Sequence, residues 1–229
     1  MRLLSIKKLS VLLFATAFFF TPQKVWCDTV APPCSYQRYS EDSKYFFIML
    51  APDDKREVEC RGYSEEAKAE ARKIRSKFSV SGLYSNKSPS KPLWKVNWYS
   101  YEVYVANNGK HLIRIGPWAS SASDEAFSLI ENGEIKKTYK VEDLITSIES
   151  LPHSTSHFEW KKKLEINDQK QTLSVTTLEN RKFVFNLETG EIVSKTENDT
   201  SNTQGKNNKS FCGGLALLVG LVLSLLLGR

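Results

Sequence analysis

Three turn signals punctuate the middle of this chain, centred on Asn108-Gly109, Asn132-Gly133 and Asn180. Asn and Gly accept the positive φ that tight hairpin turns require. Each signal is flanked by runs rich in β-branched and aromatic residues. In residues 171–177 and 181–187, apolar and polar side chains alternate with the period of a half-buried strand. Such recurrence predicts strands joined to their sequence neighbours, so the chain must fold largely as antiparallel sheet.

The rest of the middle fits around those hairpins. Residues 45–50 form an apolar run that predicts another strand, ended by Pro52-Asp53-Asp54. Residues 64–77 predict a helix, with Ser64 as cap, Glu65 and Glu66 in the first turn, and strong helix formers behind them. Residues 78–92 have loop composition, with Gly82, Pro89 and Pro92 among serines. Residues 93–116 predict one long hairpin with a one-residue slip before Tyr101. Residues 141–151 predict a short helix stopped by Pro152. The expected fold is mainly β: an antiparallel meander or sandwich-like domain with one or two accessory helices. Strand–helix alternation of the Rossmann or α/β-hydrolase kind is missing.

The two ends have a different character. Residues 1–27 carry Arg2, Lys7 and Lys8 before a nearly unbroken apolar stretch over 9–20, then Pro22. This is the plan of a signal peptide, too short to span a bilayer, with cleavage expected after Cys27 or a few residues later. Trp26 is too large to precede a lipoprotein cysteine. Residues 28–195 form the expected extracytoplasmic domain, and 196–210 a polar linker without large apolar residues. Residues 211–228 carry no charge and are followed by Arg229. At 1.5 Å per residue this segment reaches about 27 Å, close to the hydrocarbon thickness. It predicts a transmembrane helix contacting membrane lipid, with the body outside and Arg229 inside.

These ends also explain the charge. They hold five of the 32 basic residues and no acid, which leaves 27 bases against 26 acids between them. A near-neutral body has no field for gathering nucleic acid, so no nucleic-acid partner is expected. The run Lys161-Lys162-Lys163 is expected to be a solvated face.

Cys34 and Cys60 remain in the body after signal removal, and export favours a disulfide between them. The alternative is a pair of buried free thiols. No CxxC spacing suggests a metal site, and none is expected. No cofactor is expected either: residues 109–116 lack the glycine-rich turn before a helix that cradles phosphate.

Two resemblances add to this reading. The body resembles a group of uncharacterised bacterial secreted proteins, often cyanobacterial. Residues 44–52, 81–84, 92–98, 109–118 and 156–160 carry the likeness. It implies extracytoplasmic placement and carries no activity. The tail is similar to the Gly-Gly-type sorting signals of bacterial surface proteins, on Gly213-Gly214, the apolar segment and Arg229, with Cys212 as in cysteine-containing variants. That resemblance implies processing by a rhomboid-type intramembrane protease at Cys212, Gly213 and Gly214.

Chemistry-bearing residues are sparse. His153 and His157 are four apart but lie in a Pro- and Ser-rich stretch, and no Gly-x-Ser-x-Gly elbow is present. A hydrolase reading would rest on His153, His157 and Glu159, with Asp124 or Glu125 as a further carboxylate. Aromatic residues are the richer signal. Trp94, Trp98, Tyr99 and Trp118 are candidate ligand-binding rings, because neighbours on a strand point to opposite faces. The expected function is binding or scaffolding of a glycan, a peptide or a surface protein. A hydrolase acting on glycan or peptide is the alternative, and a secreted precursor that loses its C-terminal helix is another.

Overall fold

The computed structural model describes residues 30–52 and 60–197. The chain divides into two units, 1–197 and 198–229, of which the second lies outside the described residues. The signal segment, the linker from 198 onward, the apolar tail and Cys212, Gly213 and Gly214 therefore also lie outside them. Among the described residues, no helix is long and apolar enough to cross a membrane.

The strands form three four-stranded antiparallel sheets, each a meander of sequence neighbours. The first holds β1 (Tyr36–Tyr39), β2 (Tyr45–Met49), β3 (Gly82–Ser85) and β4 (Ser88–Lys95). The second holds β5 (Val103–Val105), β6 (His111–Ile115), β7 (Glu125–Glu131) and β8 (Glu134–Lys140). The third holds β9 (Lys161–Asn167), β10 (Thr172–Thr177), β11 (Lys182–Asn186) and β12 (Ile192–Thr196). Among the described residues, one α-helix, α1 (Glu65–Lys77), lies between β2 and β3 in sequence.

The second sheet is the middle layer. Val103, Val105, Leu112 and Ile130 pack with Phe47, Met49, Leu83 and Trp94 of the first sheet. Ile113, Phe127 and Leu129 pack with Leu164, Leu173, Val175, Phe183 and Phe185 of the third. Strand β7 is thus covered on both faces, and its residues from Ala126 to Ile130 are all buried. A doubly covered strand has no face to leave polar, which is why it reads as a continuous run rather than an alternation.

The first sheet has its other face on the helix. Phe46, Ile48 and Tyr84 meet Ile74 and Phe78 there. Phe46 stacks on Tyr84 at 5.4 Å, and Phe78 meets Tyr84 edge-on at 4.9 Å. The helix starts as its sequence predicts: the Ser64 hydroxyl accepts from the Ala67 amide at 3.3 Å, and acids occupy the first turn. Beside it, Cys34 and Cys60 form a buried disulfide with a Cα separation of 4.5 Å. It closes a loop of sequence separation 26. Replacing both cysteines by serine is expected to lower unfolding stability by about 3 kcal/mol, read by urea denaturation.

Three local expectations change. Residues 78–92 are not loop: they contain β3 and most of β4. Pro89 and Pro92 are tolerated because β4 is a sheet edge, where an amide on the outer side has no ladder partner to lose. Gly82 is required by close approach, since a Cβ there would lie 2.3 Å from the Trp94 carbonyl oxygen.

Residues 93–116 are not one hairpin. β4 belongs to the first sheet and β5 to the second, so residues 96–102 carry the chain from one layer to the next. The hairpin is β5–β6, turned with Gly109 at φ 70°.

The helix expected over 141–151 is replaced by two 3-10 turns, Val141–Asp143 and Ile148–Ser150. The Glu179 carboxylate accepts from the amides of Thr146 and Ser147 at 2.8 and 3.0 Å. Those amides would otherwise donate inside an α-helix. Leu144, Ile145 and Leu151 are buried all the same.

Candidate functional site

The crossing segment 96–102 brings an aromatic-rich stretch to the open edge of the middle sheet. Three depressions adjoin there. One, of about 280 Å³, is lined by Tyr101, Glu102, residues 115–119 and residues 157–161. A second, of about 410 Å³, runs past Arg38, Tyr39, Glu41, residues 102–105, Ile166 and Asp168. A third, of about 440 Å³, lies over residues 34–39, Tyr63, Ala67, Glu70, Tyr99 and Tyr101. Glu102 lines the first and second, Tyr101 the first and third, and Arg38 and Tyr39 the second and third. The three depressions are therefore neighbours that share walls around Tyr101 and Glu102. A fourth depression of about 300 Å³ adjoins the first through His157 and Phe158, and also takes in His153.

A compact polar group sits where the first two depressions meet. Glu102 accepts from the Lys161 ammonium at 2.8 and 2.7 Å and from the Tyr104 hydroxyl at 2.5 Å. Burial and the neighbouring Glu102 push the Tyr104 phenol well above its ordinary range, so it stays a donor. Of the lysine run, Lys162 reaches Asn180 and Lys163 pairs with Glu165.

The predicted aromatic residues separate by role. Trp94 is 9% exposed, packs in the core, and donates from Nε1 to the Gly109 carbonyl at 3.1 Å. Trp98 stacks on Phe47, and the Arg114 guanidinium lies 5.0 Å over its ring. The Tyr99 hydroxyl accepts from the Cys34 amide and donates to the Cys34 carbonyl. Trp118 is different: it is 42% exposed and stacks on His157 at 4.0 Å, beside the first depression. The structure does not gather the four rings into one patch. Trp118 is partly exposed although His157 is stacked on its ring, and Tyr99 and Tyr101 meet edge-on at 5.1 Å in the third depression.

The hydrolase residues converge only partly. His157 and Glu159 line the first depression together. Asp124 instead accepts from the amides of Ser120 and Ser121, which hold its carboxyl below the usual range. Glu125 is engaged by Arg114 at 3.0 and 2.6 Å and by the Ser128 hydroxyl at 2.7 Å. The Ser154 hydroxyl lies 2.8 Å from His157 Nδ1, a spacing that suits a nucleophile and base. That same oxygen accepts from the amides of Ser156 and His157 in a local turn, contacts that weaken it as a nucleophile.

Among the described residues, one trio could hold a metal: His111, Glu131 and Glu188, with ligand atoms within 4.8 Å of one another. It comes from β6, β7 and the turn after β11, so spacing in sequence gives no hint of it. The Lys110 ammonium already bridges the two carboxylates at 2.6 and 2.9 Å, and Lys136 pairs with Glu131. Asn108 fixes the imidazole as well. Its carbonyl oxygen accepts from the amides of Lys110 and His111, which turns its amide nitrogen toward His111 Nδ1 at 2.8 Å. Nδ1 must accept, so Nε2 carries the proton and has no lone pair for a metal. Glu131 and Glu188 are thus held in an ion-pair network with Lys110 and Lys136, beside a neutral His111.

That network has a pH signature. Hydrogen bonds from Lys110 and Lys136 pull the Glu131 carboxyl down from 4.5 to about 2. A depressed carboxyl stabilises the fold above its ordinary value, and this contribution fades as pH falls from 4.5 toward 2. Glu131→Gln is therefore expected to lower stability at neutral pH and to flatten the acid-unfolding curve over that interval, read by circular dichroism.

No protein-family model matches the chain, and no curated protein matches it.

Proposed function

We propose that this protein is an extracytoplasmic β-domain held at a membrane by residues 211–228, and that it acts by binding or scaffolding. The basic, apolar segment over 1–27 and the uncharged tail support the placement. The Cys34–Cys60 disulfide fits an oxidising compartment. The stacked meanders form a sandwich-like scaffold that keeps the groove edge rigid.

The observation that carries binding is the groove itself. Adjoining depressions that share Tyr101, Glu102, Arg38 and Tyr39 suit a ligand that is long rather than compact. Aromatic rings with polar neighbours along the walls suit a chain-like partner, and Trp118 offers a flat apolar end stop. The test is retention of full-length protein, in detergent micelles, on arrayed glycans and arrayed extended peptides. Trp118→Ala is expected to cut retention about tenfold, since an exposed aromatic contact contributes about 1–2 kcal/mol. Retention on neither array would overturn the reading.

A second reading, a hydrolase of glycan or peptide, is favoured by one observation: His157 and Glu159 line the same depression. Turnover of arrayed substrates that disappears in both His157→Ala and Glu159→Gln would establish it. The third, a secreted precursor, follows from Cys212-Gly213-Gly214. It predicts a mature chain that ends near those residues.

A further inference from the structure

Strand β5 is an edge strand of the middle sheet, with β8 at the other edge. On its inner side the Glu102 carbonyl accepts from the Ile115 amide, and the Ala106 amide donates to the His111 carbonyl. Hydrogen-bonded pairs in an antiparallel ladder recur at every second residue. The amides and carbonyls of Val103 and Val105 therefore point away from β6. Among the described residues, nothing pairs with them. Val103 and Val105 are 3% and 7% exposed as whole residues, with their side chains packed in the core, so only a narrow strip of backbone is open and the strand cannot rotate these groups elsewhere.

The outward groups face the 410 Å³ depression. Arg38 and Tyr39 of the first sheet form one wall, and Ile166 and Asp168 of the third form the other. The slot lies in the plane of the middle layer, between the two outer ones. A fifth strand, about 4.8 Å from β5, is the shape that continues this layer. The recess also selects the occupant. A second copy would bring its own two walls into the same space, and its β5 is equally recessed. A glycan lacks the alternating N–H and C=O that match the edge. An extended peptide has them at the right period.

Charge narrows the peptide. Glu102 is neutralised by Lys161. Glu41 and Asp168 form no ion pair among the described residues, and Arg38 is the one cation beside them. The slot carries one unmatched negative charge, which favours a Lys or Arg side chain.

We propose that β5 takes an extended, basic peptide as a fifth strand of the middle sheet, an inference that rests on the binding reading and names its ligand class. The probe is the capped hexapeptide Lys-Val-Lys-Val-Lys-Val, added to full-length protein in detergent micelles. The readout is amide hydrogen exchange. Exchange at Val103 and Val105 is expected to slow at least about tenfold, and the β6 amides bonded in the ladder are expected to stay unchanged. Methylating one alternate set of peptide amides is expected to weaken binding about five- to tenfold per lost bond, and methylating the other set to have little effect. Glu41→Lys, an exposed change, is expected to shift preference toward the Glu-Val counterpart of the probe.

Equal binding by both methylated isomers would overturn the proposal. So would unchanged exchange at Val103 and Val105, or protection there that grows with protein concentration without peptide, the mark of a second copy. If exchange at β5 stays fast while Trp118→Ala still cuts array retention about tenfold, the binding reading stands and strand addition fails.

Discussion

Phe127→Ala is expected to lower unfolding stability by about 3–5 kcal/mol, the usual cost of emptying a buried phenylalanine site. Phe127 is fully buried in β7, the strand covered on both faces. Its ring lies 5.2 Å from Tyr139 and 5.1 Å edge-on from Phe185, so it ties the middle sheet to the third. The cavity would open between two rigid sheets, where collapse is hard, which puts the cost at the upper end. Ile135→Ala gives the contrast. Ile135 is apolar and on the adjacent strand but 49% exposed, and its loss should cost about 0.5 kcal/mol or less. Urea midpoints for the pair test the layering: equal losses would mean that β7 is not the covered strand.

Arg114→Met is expected to cost about 3 kcal/mol, for a different reason. The Arg114 and Glu125 side chains are 14% and 21% exposed. Two nitrogens of the guanidinium hold the Glu125 carboxylate, and one also reaches the Ser128 hydroxyl. Removing the cation leaves a partly buried carboxylate with only hydroxyl support, which is costlier than the pair was favourable. Some loss also comes from Trp98, whose ring the guanidinium covers. The double variant Arg114→Met/Glu125→Gln should recover part of the loss, with a coupling of about 1–3 kcal/mol. Strict additivity of the two single changes would show that the pair is not coupled.

The legible parts of the fold were those with one wet face. β10 and β11 alternate in burial as they alternate in sequence, and the capped helix over 64–77 announces itself by Ser64 and its acids. The illegible parts had a tertiary cause. Pro89 and Pro92 suggest loop until β4 is known to be an edge. The aromatic run through Trp94 and Trp98 suggests one strand, yet the chain changes layers after Lys95. Leu144, Ile145 and Ile148 have helical spacing, but Glu179 takes the amides a helix would use.

Of the candidate site, only the aromatic-rich stretch was legible, not the placement of its rings. Aromatic enrichment marked the region, and Trp118 is exposed there. Glu102 and Lys161 meet across 59 residues, and His111, Glu131 and Glu188 come from β6, β7 and the turn after β11; neither grouping has a local pattern. The free groups of Val103 and Val105 depend on which strand ends a sheet, and no residue type encodes that.

Intact mass of the protein recovered from alkali-washed membranes tests its placement most directly. The expected species has lost the segment up to about residue 27, is lighter than the dithiol form by two hydrogens through Cys34 and Cys60, and keeps residues 211–229. A chain found in the soluble fraction with its N-terminus intact and both thiols free would contradict an exported, tethered binding domain.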